Sequence, residues 1–453
     1  MRYRTLSILA ILVVGTCLAL EPADQGSVKR GEPQRQENYW EERAECSAPA
    51  REGGRLVVRA DFGSLNTKPG AVDRVTCQVR LRIYTSDENE ARRFFKDFEL
   101  TFRQVEGALY LMGRLRQQPH LTGRLPQQRH SQMTRGAQYD ITVPLRFNLD
   151  LETKGGGIEV EKLEGQLEAV TAGGGIRGGD LGGPVRVETA GGGIRLGNIA
   201  APVEARTAGG SVRVGDVNGA AILETSGGEI VAGMVQGTLR AQTAGGDLVL
   251  RGASGPIEAQ TAGGQIQIGQ SGGNVIARTA GGSIWLQGAR GRVEARTAGG
   301  SIDLLQMRNA IRAATSAGAI LAQVDADLKM FVASELQTSA GDIQVFLPPN
   351  LPLTVDATID MAAGHKIVSD FPLNIQKEGK AFAPIKVWGE GALNGGGEVL
   401  RLRTVAGNIE IRKLDSRTLE QFRTRQESFW KRWQEKEERG QQKQQERQEH
   451  EEE

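Results

Sequence analysis

Threonine recurs at positions 153, 171, 189, 207, 225, 243, 261, 279, 297 and 315, ten times at a constant spacing of 18 residues. The surrounding chain reads Thr-Ala-Gly-Gly-x-Ile with small variations, as in Thr207-Ala208-Gly209-Gly210-Ser211-Val212 and Thr297-Ala298-Gly299-Gly300-Ser301-Ile302. A period held for ten copies without insertion means that each copy is one structural unit stacked on the next. Within a unit, Val203, Ala205 and Thr207 share one parity and Glu204 and Arg206 the other; after the Gly pair, Val212 and Val214 flank Arg213. Strict alternation is the strand signature, because successive side chains point to opposite faces. Each unit therefore holds two short strands and two turns, and the Gly pair permits a positive φ and a tight corner.

The inward parity is consistent along the array. One strand contributes Leu167, Val185, Val203 and their successors; the other contributes Ile158, Ile176, Ile194 and theirs. Stacked in register, these form aliphatic ladders about 4.8 Å apart, so ten coils make a rod about 48 Å long. The expected fold class is all-β: a β-solenoid of 18-residue coils with two short strands per coil, an N-terminal β-rich cap and a C-terminal α-helical tail. The threonine falls on the inward parity at a corner, where its hydroxyl is expected to bond a turn amide or carbonyl. A surface-binding threonine array needs Thr pairs two residues apart on an outward face; here that position is Gly.

Sixty Gly among 453 residues are explained by their periodic placement rather than by low complexity. The net charge of +1 argues for no nucleic acid or other polyanion partner. Residues 1–19 read as a signal peptide, with Arg2 and Arg4 as the basic region, Leu6 to Val14 as the apolar core and cleavage after Ala19. Two further readings stand: lipoprotein processing at Cys17, and membrane association through an uncleaved N-terminus. The expected location is exported: periplasm, cell surface or secreted. After signal removal Cys46 and Cys77 remain, either as one disulfide or as two small core residues.

The expected domains are a polar linker at 20–54, a β-rich module with one short helix at 55–150, solenoid repeats at 151–342, a solenoid cap at 343–414, and a charged amphipathic helix with a disordered tail at 415–453. The module's helix opens near Ser86-Asp87-Glu88-Asn89-Glu90 and carries Phe94 and Phe95; Glu106-Gly107 turns a hairpin. A Gln- and Arg-rich stretch between Arg114 and Arg135, with His120 and His130, reads as an exposed loop. The next Thr after Thr315 is Thr338, so that coil carries an insertion; Thr404 to Ile411 is a late echo of the repeat among closing strands. In the tail, Leu419, Phe422, Phe429, Trp430 and Trp433 fall near one helical stripe, which packs on the solenoid, meets a partner or touches a membrane interface.

The Thr-Ala/Ser-Gly-Gly-x-Ile units, entered by Ile141-Thr142-Val143-Pro144 and closed by Val345-Phe346-Leu347-Pro348, resemble the bacterial putative-adhesin family of exported β-solenoids over roughly residues 55–413. That resemblance implies an envelope protein and brings no catalytic residues, because the family motif contains none.

Outward positions are where a solenoid binds. On the threonine-bearing strands these columns alternate in charge (Glu168, Arg186, Glu204; Glu188, Arg206, Glu224) and read as a solvated face. On the other strands Arg177, Arg195 and Arg213 occupy successive coils, an arrangement that phosphate or carboxylate of an envelope polymer would relieve. Screening by nearby Asp180 and Asp216 is the plainer alternative. Trp285, further along that column, could stack on a sugar. Trp430 and Trp433 are candidates for partner or membrane contact.

Enzyme chemistry finds little support. His120, His130, His365 and His450 all lie outside the repeats, as an acyltransferase on 18-residue coils would not allow. Acids are dispersed, no Cys/His spacing suits a metal, and no nucleophile elbow or phosphate loop occurs. No catalytic residue, metal or cofactor is expected. The reading is a non-enzymatic, adhesin-like envelope scaffold or interaction module for envelope polysaccharide or protein partners. The alternatives are a carbohydrate-active enzyme, or an envelope-stress sensor or assembly factor using the aromatic helix.

Overall fold

A computed structural model describes residues 26–116, 135–379, 385–424, 427 and 431. The expected signal peptide and the stretch at 117–134 lie outside the described residues. The protein is a β-solenoid built from two long sheets. The threonine sheet stacks strands such as Leu167–Thr171, Val185–Thr189 and Val203–Thr207; the isoleucine sheet stacks Ile176–Leu181, Ile194–Leu196 and Val212–Val214. All pair in parallel and in register, so Thr171, Thr189 and Thr207 sit directly over one another, as do Ile176, Ile194 and Val212. The aliphatic columns meet between the sheets in one continuous core: Leu167, Ile176, Ala205, Val212 and Ile230 are fully buried.

The corner shows why Thr and Gly recur together. The Thr225 hydroxyl donates to the Gly210 carbonyl of the preceding coil (2.7 Å) and accepts the Gly228 amide of its own coil (3.3 Å). The Gly228 carbonyl in turn accepts the Thr243 hydroxyl at 2.9 Å. The same exchange repeats from Thr171 to Thr315, and Thr338 and Thr404 extend it by donating to the Gly318 and Gly341 carbonyls. Each buried hydroxyl is therefore satisfied, as burial demands.

The glycine requirement differs from the expected one. None of the paired corner glycines from Gly155-Gly156 to Gly299-Gly300 has a positive φ. Instead, a Cβ on Gly228 would lie 2.2 Å from the Gly210 carbonyl oxygen, an impossible approach, whereas one on Gly227 would lie 3.3 Å from Gly209. The second glycine is bare because the backbone of the coil beneath touches it. The sequence agrees: at the corners after Thr315, Thr338 and Thr404 the first glycine becomes Ala317, Ala340 or Ala406, while Gly318, Gly341 and Gly407 persist.

The solenoid begins before the repeats. Arg55–Ala60 and Ser64–Pro69 form a first coil, parallel to Asn148–Thr153 and Ile158–Leu163 respectively. Thr153 donates to the Gly63 carbonyl of that coil at 2.8 Å. Residues between these coils extend both sheets at the N-terminal end: Arg74–Ile83 and Arg135–Val143 join the isoleucine sheet, and the hairpin Phe98–Val105/Ala108–Leu115 joins the threonine sheet. Helix α1 (Glu88–Asp97), capped by Asp87 accepting the Asn89 and Glu90 amides, buries Ala91, Phe94 and Phe95.

The expected linker is corrected. Within 20–54, Trp40–Pro49 is a ten-residue strand paired antiparallel to Arg74–Ile83, with Ser27–Arg30 beyond it. Its inward residues include small Ala44, Cys46 and Ala48, which carry little hydrophobic signal. The charges that suggested a linker are paired instead: Glu42 with Arg30, and buried Glu41 with Arg82 (2.8 Å) and Arg43 (2.7 Å). Directly opposed in this pair, Cys46 and Cys77 form a disulfide, with Cα atoms 5.0 Å apart.

At the other end, the late echo is a full coil. Val399–Ala406 stacks on Ser334–Ala340 with Thr404 over Thr338, and Ile409–Lys413 stacks on Ile343–Leu347. Leu353–Ile359 follows, then antiparallel Lys386–Leu393 and Asn374–Glu378. The last strand is exposed throughout and carries Lys377 and Glu378, charges that discourage edge-to-edge pairing.

Two outcomes follow. Gly228→Ala should cost about 1–3 kcal/mol through forced displacement of a packed backbone, and Gly227→Ala distinctly less; Thr225→Val should cost a similar 1–3 kcal/mol, roughly, by stranding a buried carbonyl and amide. Amide exchange in the flanking coils measures both, and equal effects at Gly227 and Gly228 would refute the stacking account. Acid should loosen the N-terminal end first. Burial alone would raise Glu41 and Asp150, but the hydrogen bonds from Arg82 and Arg43 to Glu41, and from Arg59 and Arg55 to Asp150, outweigh it and hold both below their ordinary values of 4.5 and 3.8. The folded state then binds fewer protons than the unfolded chain, so this stabilisation is complete above those values and is lost as pH falls below them. Urea titrations at pH 7, 5 and 3 should show little change between the first two and a drop at the third.

Candidate functional site

Because every coil is in register, an outward side chain meets its equivalent in the next coil about 4.8 Å away. Each outer face is thus a set of columns, and chemistry on this chain is chemistry of columns. On the threonine sheet the two columns are laced by ion pairs. Arg206 pairs with Glu204 and, at 2.8 Å, with Glu224; Arg278 pairs with Glu294 at 2.7 Å, and Arg240 reaches Glu258 at 3.7 Å. The Arg278 hydrogen bond holds Glu294 below the ordinary carboxylate range despite its burial. These half-exposed pairs each contribute little to stability.

Sequence reasoning took this face as structural only, and so missed a groove. It runs along the threonine corner for seven coils, from Val170 to Arg278, with a volume of about 950 Å³. One wall is the column preceding each Thr (Glu188, Arg206, Glu224, Gln242, Gln260); the other is the row of small residues following it, Ala190, Ala208, Ser226, Ala244 and Ala262. The signal for it was present: the residue after Thr is small in coil after coil, which leaves a step beside the longer column.

On the isoleucine sheet one outward column runs Glu159, Arg177, Arg195, Arg213, Val231, Val249, Gln267, Trp285, Asp303, Leu321. Arg177, Arg195 and Arg213 do stack directly. Arg213 donates to Glu229 at 3.0 Å. Asp180 and Asp216 are otherwise engaged: their carboxylates accept the amides of Asn198 (3.1 Å) and Met234 (2.7 Å) in the coils that follow, and Asn198 accepts the Asp216 amide at 3.0 Å. These side chains hold coils together by taking backbone donors.

Trp285 is corrected. It is not a lone outward aromatic but part of the seat of helix α2 (416–424). That helix buries Phe422 against Phe346, ring centroids 5.0 Å apart and edge to face, in a cluster with Leu305 and Leu414; Trp285, Leu321 and Leu419 pack around it. Leu305, Leu321 and Phe346 point outward from successive coils, a pattern visible in the sequence once the columns are aligned. Leu419 and Phe422 therefore pack on the solenoid, and Trp285 is withdrawn from sugar stacking. Trp430 and Trp433 lie outside the described residues. Phe422→Ala should weaken docking by about 3 kcal/mol, read as faster amide exchange across 416–424 with the solenoid strands unchanged.

Of the four histidines, His365 alone is described; it lies in a surface turn. Among the described residues no group of three or more His, Cys, Asp or Glu is placed to hold a metal, and no helix is long and apolar enough to cross a membrane.

Comparison with known proteins adds little. No protein-family model matches the chain, and no curated protein matches it. Among solved structures, a putative cell adhesion protein from Clostridium sporogenes ATCC 15579 aligns over 84% of this chain and 100% of its own at 9% identity, with a TM-score of 0.15. A putative adhesin from Bacteroides fragilis NCTC 9343 aligns over 82% and 97% at 11% identity, with a TM-score of 0.13. Superpositions this poor carry no argument about this chain.

Proposed function

We propose that this protein is an exported, non-enzymatic, adhesin-like module of the cell envelope that binds an extended envelope polymer along its rod. The observation that carries the reading is the seven-coil groove beside the threonine ladder, with carboxylates, amides and guanidinium groups repeating along one wall and small side chains along the other. A surface that repeats every 4.8 Å or so suits a ligand that is itself linear and repetitive, because contacts add along its length. Alternating charge and amide groups offer both donors and acceptors, as sugar hydroxyls require. The stacked Arg177, Arg195 and Arg213 add a cationic patch on the opposite sheet that favours phosphate or carboxylate groups. Export is supported by the N-terminal sequence and by the Cys46–Cys77 disulfide, a bond characteristic of oxidising compartments.

The test is binding of envelope glycan fragments of graded length by calorimetry. Affinity is expected to rise with length until the fragment spans about 29 Å, six coil spacings. Arg206→Ser/Gln242→Ala/Arg278→Ser should weaken it at least about tenfold, a loss of roughly 1.4 kcal/mol. Arg177→Ser/Arg195→Ser/Arg213→Ser should weaken only fragments bearing acidic groups. Binding that ignores fragment length and the groove substitutions would sink the proposal, and fragment cleavage abolished by one point substitution would establish the carbohydrate-active alternative.

A further inference from the structure

Each coil has a second corner, where the isoleucine strand hands over to the next threonine strand. Along the first coils its corner residue is a large aliphatic, as in Leu181, Ile199 and Val217; it then shrinks to Ala253, Ser271 and Ala289 on three successive coils. The column just before it alternates long side chains with bare glycine: Met234, Gly252, Gln270, Gly288, Gln306. Gln306 departs furthest from the repeat. Its φ is 52°, in the left-handed region that a long L side chain rarely adopts. It sits where the isoleucine sheet shifts register, Leu304 and Met307 facing Ala322 and Val324, so the strand carries one extra residue. Such an insertion bends the strand and re-aims a side chain, and backbone strain of this kind gathers at binding and catalytic sites. The new aim is visible at Gly288: a Cβ there would lie 3.5 Å from Gln306 Oε1 and 3.7 Å from Gln270 Cγ, so the two amides close over its bare backbone. On the other side of the corner, Gly182 and Ala200 of early coils give way to exposed Arg290 and Arg308 on adjacent coils. Together these changes enclose a recess of about 350 Å³ lined by Gln270, Gln306, Arg290, Arg308 and Asp325.

We propose that this recess is a binding site for one carboxylate-bearing sugar residue, a uronate. Its charge fits a single carboxylate. Arg308 donates from Nε to Oδ2 of buried Asp325 at 2.9 Å, and Asp325 is itself fixed, its Oδ1 accepting the Asp327 amide at 3.0 Å and its own amide donating to the Met307 carbonyl at 3.0 Å. That pair orients Arg308 at the recess while cancelling one charge, so two guanidinium groups and one carboxylate leave a net charge of +1. A monoanion balances this, and a doubly charged phosphate does not. Guanidinium groups bind a carboxylate in paired, charge-assisted hydrogen bonds. The carboxylate of Asp325 is already taken up by Arg308 and a backbone amide, which disfavours a ligand carrying an ammonium group. The Gln270 and Gln306 amides offer donors and acceptors together, as ring hydroxyls require. The volume lies at the small end of the range for ligand pockets, which matches one sugar ring.

The site lies on a different corner from the threonine groove, and its assignment stands whether or not a polymer binds there. The test is an NMR titration of the full chain with methyl glucuronide, methyl glucoside and glucose 6-phosphate. The uronide should bind at least about tenfold more tightly than the neutral glucoside, because only it engages the arginines. Gln306→Gly removes the amide while keeping a residue that adopts φ 52° readily, and Arg290→Ser removes an exposed guanidinium. Each should weaken the uronide at least about fivefold, the loss of one hydrogen bond or more, and Arg290→Ser should also narrow the gap between uronide and glucoside. Amide exchange across Ile284–Ala289 and Ile302–Met307 should match wild type in both, which separates lost contacts from lost folding. Arg206→Ser/Gln242→Ala/Arg278→Ser, in the threonine groove, should bind the uronide as wild type does. Absence of uronide binding to wild type, equal binding of uronide and glucoside, or binding that survives both recess substitutions would overturn the assignment. Tighter binding of the phosphate would overturn it in favour of a dianion site, and loss in the groove variant would overturn it by moving the sugar to the threonine corner.

Discussion

Everything in this molecule depends on how closely one coil can sit on the next at the threonine corner. There a bare glycine lies against the carbonyl of the glycine beneath it, closer than any Cβ would allow, and a buried hydroxyl joins the two coils. The close approach sets the coil spacing, and the hydroxyl satisfies polar groups that no water reaches. Register then propagates without further instruction. Since side chains alternate with period two, a slip of one residue would turn every aliphatic column to solvent, and the corner prevents that slip.

With register secured, the outer faces become columns whose composition is free to vary. That freedom is used unevenly. The threonine sheet carries interleaved acids and bases, which neutralise one another and leave a continuous groove. The isoleucine sheet carries one block of arginines, a short apolar stretch, and a seat for helix α2. A rod of this kind therefore differs from face to face although its interior is nearly uniform. The two ends are also treated differently. At the N-terminal end antiparallel strands, a helix and a disulfide extend both sheets; at the other end the chain turns back, inserts one more coil and finishes on a charged edge strand.

Much of this was legible in the residues. The constant spacing of Thr153 to Thr315 implies stacked coils, and the alternation around Val203 and Val212 assigns inward and outward faces correctly. The role of the threonine hydroxyl followed from its parity. The reason for the glycines did not, because flexible φ and close backbone contact leave the same mark on a sequence. Only the persistence of Gly318, Gly341 and Gly407 beside Ala317, Ala340 and Ala406 tells them apart. The strand Trp40–Pro49 was hidden because its inward residues are small and its charges are paired with partners far away in sequence. Trp285 misled for a related reason: an outward position looks exposed until a distant segment covers it.

The sequence by itself determined the repeat, the two-sheet architecture and the identity of each column, since these rest on spacing and alternation along a continuous stretch of chain. The tertiary structure alone decided which columns stay open, where helix α2 lies, that Cys46 meets Cys77, and that residues 55–69 belong to the stack. Those facts depend on segments far apart in sequence coming together, and local periodicity holds no information about which remote surface a segment will bury.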